Sequence, residues 1–194
     1  MTALQKIAMG LVITLVDSHI AGYDAVPDVL GWVLVVMGLL DLRDRVDTST
    51  LLPLAVVAGV VSVALLSPAW IATFPESTGW LLSLPQLVFS FLLCRELADL
   101  LAPAYATQTS PALDTVERAT RTVARRLRLL AWGFALAAAG PVLLYGGGVD
   151  VLLTPLAVLA VAVNAALVYL LFRVSTLVHG SNRERARRDR HDRS

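Results

Sequence analysis

The sequence predicts an all-α fold, an integral membrane bundle of about six transmembrane helices with both termini in the cytoplasm. Three observations carry this. Of 194 residues, 57% are hydrophobic and only 16% charged, and the mean hydropathy is +0.71; a soluble domain is roughly a quarter charged and under half apolar. Uncharged stretches recur at lengths near the ~20 apolar residues that a helix needs to cross a bilayer. When those stretches are threaded as alternating spans, all 16 basic residues fall on one side, as the retention of Lys and Arg in cytoplasmic segments requires. A soluble enzyme is excluded, because a soluble helix needs a polar face. Disorder is excluded too, since so apolar a chain does not stay solvated.

Spans are expected near 3–21, 27–42, 51–73, 79–101, 127–146 and 151–173. In the first, Lys6 precedes the apolar run Ile7 to Val16 and small residues follow, a signal-peptide-like opening. The hydrophobic spans behind it make it an uncleaved first helix. The second starts at Pro27 and Asp28, since proline suits a first helical turn and a carboxylate complements the positive end of the helix dipole. Pro68 interrupts the third, giving either a kinked span or a shorter helix with Trp70 to Phe74 along the interface. The fourth carries Gln86 beside Pro85, and the sixth carries Asn164.

A loop over Pro103 to Ser110 and a capping Ser110-Pro111 pair lead into a basic amphipathic juxtamembrane helix, about 111–126. Apolar or β-branched residues at 113, 116, 120, 123, 127 and 130 share one face, with Arg118, Arg121, Arg125 and Arg128 beside it. Those arginines suit anionic lipid headgroups, each contact being worth about 1 kcal/mol. The apolar face alternatively suits a protein partner. Residues 1–180 thus form one transmembrane domain, and 181–194 a basic tail expected to be disordered, with its acids interleaved among arginines.

Orientation follows from the charges. The inner side receives Lys6, Arg43, Arg45, Arg95, the arginines of 118–128, Arg173 and those of the tail, whereas the outer side carries only Asp17, Asp24, Asp28, Glu76 and Asp150. Tyr23, Trp32, Trp70, Trp80 and Tyr145 fall near the outer interface, where amphipathic rings anchor. Lys6 is the single lysine, a bias of GC-rich coding that points to a bacterial inner membrane. Cys94 is the single cysteine, so no intrachain disulfide forms.

Polar residues inside spans are the candidates for chemistry. Asp17 lies about a turn inside the expected end of span one, where an ionisable group costs a few kcal/mol unless paired or hydrated. His19 would sit about 200° away round the same helix, too far for a pair. Two readings stay open. Asp17 either reaches the interface or the start of span two, or it forms a proton or cation site with Asp24 and Asp28. Gln86 and Asn164 suit hydrogen bonds across helices at about 1 kcal/mol each, or the walls of a polar path.

The stretch Leu15 to Leu34, with Asp24-x-x-Pro27-Asp28-x-x-Gly31-Trp32-x-Leu34, resembles the first hairpin of a loose group of small uncharacterised bacterial multi-pass membrane proteins. The resemblance covers about residues 12–40 and implies the membrane fold without implying an activity. Motifs for nucleotide phosphates, serine hydrolysis and zinc peptidases are missing, as is any paired Cys/His spacing. No cofactor, metal or nucleic acid is expected. The expected partners are the bilayer and its anionic headgroups, together with a membrane-protein partner or a second copy of the chain. The functional expectation is a non-catalytic accessory or structural envelope protein. The alternative is a small proton- or cation-linked transporter or channel using Asp17, Gln86 and Asn164.

Overall fold

In the computed structural model, helix α1 (Ala3–Leu15) opens on a reciprocal cap. The Gln5 amide donates to Thr2 Oγ1 at 3.2 Å and the Thr2 amide to Gln5 Oε1 at 3.0 Å. Two otherwise free donors at the helix start are thereby satisfied. The structure describes residues 2–15, 19–20, 23–24, 28–64, 76–102, 114–147 and 153–191. Five more helices follow among them: α2 (Asp28–Leu42), α3 (Leu51–Ala64), α4 (Glu76–Leu101), α5 (Asp114–Gly147) and α6 (Leu153–His191).

Between α1 and α2, β1 (His19–Ile20) and β2 (Tyr23–Asp24) pair antiparallel, with His19 opposite Asp24 and Ile20 opposite Tyr23. This corrects the expectation of a first helix running to residue 21. Ile20 and Tyr23 favour strand, and the two residues between the strands, Ala21-Gly22, match the length of the commonest hairpin connection. His19 therefore does not share a helix with residue 17.

Each helix packs on its neighbours in sequence, and α6 returns to α1, so the six close into a ring. The tightest approach joins α1 and α2. A methyl group added at Gly31 would stand 2.6 Å from the Gly10 carbonyl oxygen, and one at Gly38 would stand 2.8 Å from the Ala3 carbonyl. Glycine is what lets the two backbones touch. Phe89, Leu93, Phe134, Leu127, Leu167 and Leu171 fill the interior. Trp32 of α2 meets Phe89 of α4 edge to face, 5.4 Å between centroids at 79°, an arrangement favoured by the ring quadrupoles. Trp32 is 2% exposed, so it is a core residue rather than the interfacial anchor expected from sequence.

Among the described residues, two helical segments are long and apolar enough to cross a membrane, Trp80–Leu101 and Thr154–Ser175. With 13, 15 and 14 residues, α1, α2 and α3 are roughly 20–22 Å long, short of a ~30 Å hydrocarbon core. The third span, expected over 51–73, is helical through Ala64, and Pro68 to Phe74 lie outside the described residues. The expected juxtamembrane helix and fifth span are one continuous helix, α5. Pro141 removes the donor to the Ala137 carbonyl, and at the next carbonyl Trp80 Nε1 donates to Ala138 O at 3.2 Å, tying α4 to α5. Helix α6 extends through His191, where a disordered tail is expected from composition.

Candidate functional site

Charge collects at one end of the ring. Lys6 Nζ of α1 pairs with Asp41 Oδ2 of α2 at 2.6 Å, and Arg128 Nη2 of α5 with Asp99 Oδ1 of α4 at 3.2 Å. The chain between α2 and α3 turns on the Leu42 carbonyl, which accepts from the amides of Arg45 at 2.8 Å and Val46 at 3.1 Å. Asp47 Oδ1 then accepts from the Ser49 amide at 2.9 Å. Bonds from the Ser49 hydroxyl and then its amide hold the Asp47 carboxyl below its ordinary range.

Concavities open at this end. A cavity of about 250 Å³ is walled by α1, α2, α4 and α6, with Leu42, Leu97, Leu101 and Val174 inside and Asp41 and Arg45 on its lining. On the outer surface, a groove of about 410 Å³ runs between α4 and α5, lined by Phe91, Arg95, Asp99, Arg128, Ala131 and Trp132. The Arg95 guanidinium stands over the Phe91 ring, 5.8 Å from its centroid, a cation–π contact. No three His, Cys, Asp or Glu side chains converge to hold a metal among the described residues.

Asp17 lies outside the described residues. Asp24 stands opposite His19 in the hairpin, and Asp28 occupies the first turn of α2, where a carboxylate suits the helix dipole. Gln86 is half-buried in α4. Asn164 is buried, and its Nδ2 donates to the Ala160 carbonyl of its own helix at 2.9 Å. That bond stays within α6, as an asparagine side chain readily reaches the carbonyl four residues back. Neither the cavity nor the groove is lined by Asp28, Gln86 or Asn164.

Arg118, Arg121, Arg125 and Arg128 are exposed along α5. On the face beside them Thr120, Val123 and Leu127 are 7%, 2% and 0% exposed. The apolar face expected to await a partner is therefore covered by the bundle itself over 120–127, and residue 113 lies outside the described residues. Sequence reasoning overlooked Trp132 and Tyr169, which are 74% and 60% exposed. Their signal was spacing, since each stands four residues from an arginine on its helix, Arg128 and Arg173. Also overlooked was Ser90, fully buried in α4 with a hydroxyl that finds no hydrogen-bond partner among the described residues.

Compared with known proteins, the chain matches no family model, no curated protein and no solved structure.

Proposed function

We propose that the chain is a bacterial inner-membrane protein that crosses the bilayer six times, with both termini in the cytoplasm, and that it acts without catalysis as an accessory or structural partner in the envelope. The observation that carries this is the outer surface of the ring. Val33 of α2, Val60 of α3, Leu81 of α4, Leu136 of α5 and Val158 of α6 are 50–64% exposed. Burying such area from water is worth about 25 cal/mol per Å², so these faces belong against hydrocarbon. Only 22% of the Thr154–Ser175 segment is buried, which is unlike the core helix of a soluble protein.

Polar side chains along the helices agree. Thr14, Ser62, Ser83 and Ser175 donate to carbonyls three or four residues back, at 2.7–3.1 Å. Water is then not needed to satisfy them, as a bilayer interior demands. The short helices α1–α3 are accommodated by local thinning of the bilayer and by the segments that flank them. The exposed arginines of α5 lie at the cytoplasmic surface and meet anionic headgroups.

Reporter fusions test the threading. A cytoplasm-active reporter placed after Ser194, and separately within 104–110, gives signal at both sites, while one near Gly148 gives none. Signal at Gly148 overturns the six-span arrangement.

A further inference from the structure

We infer that the groove between α4 and α5 is a binding site for the phosphodiester headgroup of an anionic phospholipid, held between Arg95 and Arg128. The inference rests on the membrane reading above and goes beyond the general attraction of a basic surface.

Three features distinguish this groove from the rest of the charged end. Arg95 forms no ion pair or hydrogen bond among the described residues, its one recorded contact being the Phe91 ring. The cation–π contact holds the guanidinium beside the ring while leaving its donor fork unspent, the state suited to a bidentate grip on a phosphate. Across the groove, Arg128 is anchored by Asp99 at 3.2 Å, so its position is set before any ligand arrives. With both arginines and Asp99 on the lining, the site keeps a net positive charge, which complements one phosphodiester.

The third feature is the wall. Trp132, one turn along α5 from Arg128, lines the same groove and is 74% exposed. Beyond it the α5 surface continues through Leu136, 55% exposed. A headgroup seated at the arginines thus leaves its acyl chains along an indole and an aliphatic stripe. Indole rings favour this headgroup level of a bilayer. A soluble anion would use the arginines and gain nothing from that wall, so the occupant is a lipid.

The test uses the full chain purified in zwitterionic detergent, with retained lipid counted by native mass spectrometry after addition of phosphatidylglycerol or phosphatidylcholine. One phosphatidylglycerol per chain is expected to survive, in preference to phosphatidylcholine. Arg95→Gln, which strands no acidic partner, weakens this retention about fivefold, the effect of one arginine–headgroup contact. Trp132→Ala weakens it as well. Arg43→Gln/Arg45→Gln removes two charges from the same end outside the groove and leaves retention unchanged. Melting of each variant without lipid shows that the fold is intact.

Equal loss in the Arg43/Arg45 and Arg95 variants overturns the site in favour of diffuse attraction. Equal retention of the two lipids overturns it as well. Competition by glycerol phosphate as strong as by the lipid overturns the role of the apolar wall. Failure of the membrane reading is separate and visible, because the chain would then stay in the soluble fraction when cells are broken.

Discussion

Replacing Gly31 with alanine tests the packing at the heart of the α1–α2 pair. The new methyl carbon would stand 2.6 Å from the Gly10 carbonyl oxygen, 2.8 Å from Thr14 Cγ2 and 3.3 Å from Ile13 Cβ. Ordinary contact begins at 3.4 Å, so the backbones must part by about 0.8 Å. The obstructing oxygen belongs to a helix backbone and has no rotamer to swing into. Overpacking of this kind costs about 1–3 kcal/mol, and the rigid obstacle sets the upper end. Against it, alanine improves on glycine in a helix by up to about 1 kcal/mol. The net expectation is a loss of about 2 kcal/mol, read by equilibrium unfolding in bicelles. Gly10→Ala reports the same contact from the other side. Once the helices have parted, the second methyl meets little, so the double variant falls short of the summed losses by about 1 kcal/mol or more. Gly59→Ala is the control, because its methyl would meet the Trp32 side chain at 3.2 Å and no backbone; it stays within about 0.5 kcal/mol of the parent. A Gly31→Ala variant as stable as the parent refutes the backbone contact.

Two further predictions use single side chains. Ser90→Ala removes a buried hydroxyl that has no hydrogen-bond partner among the described residues, so the variant unfolds at equal or higher stability, by up to about 1 kcal/mol; any loss of stability reveals a partner for the hydroxyl. Asp47 titrates below the ordinary aspartate range because the Ser49 bonds favour its charged form. A depressed folded pKa contributes stability that is present above the unfolded value and lost as pH falls through the folded one, so Asp47→Asn lowers stability at neutral pH, converges on the parent below the folded pKa and thereby flattens the acid limb of the stability profile. Carboxyl NMR titration gives the shift directly, and an Asp47 that titrates at or above the ordinary value contradicts the turn geometry.

Much of the helical order was legible because long apolar runs can only be helices or cores, and the start of α2 at Asp28 follows from Pro27 and the helix dipole. Gly31 was legible as a position of the hairpin motif, and the structure supplies its physical role, the close approach to Gly10. Trp32 was not. A tryptophan five residues into a span reads as an interface anchor from sequence, and only the crossing of α2 with Phe89 of α4 turns it inward. The end of α1 was misread for a related reason: a bilayer-length span carries the helix past Val16 and across Asp17, Ser18 and His19, whereas backbone pairing of Ile20 with Tyr23 is a contact that hydropathy does not encode. The groove was half legible. Arg128 stood in the basic stripe, but Arg95 was counted only as a topology signal, because its stacking on Phe91 and its closeness to Arg128 depend on how α4 lies against α5.

The most direct test of the membrane-embedded ring places one cysteine at a time on its outer surface, in a chain where the buried Cys94 is replaced by alanine. Val60→Cys, Leu136→Cys and Val158→Cys are compared with Arg43→Cys and Arg125→Cys in reconstituted bilayers. Labelled with a fluorophore, the three aliphatic positions are expected to be quenched by nitroxides deep in the acyl chains and to resist a membrane-impermeant thiol reagent. The two arginine positions show the reverse. Rapid modification of Val60→Cys, Leu136→Cys and Val158→Cys by the aqueous reagent, without quenching from the acyl region, would contradict the account.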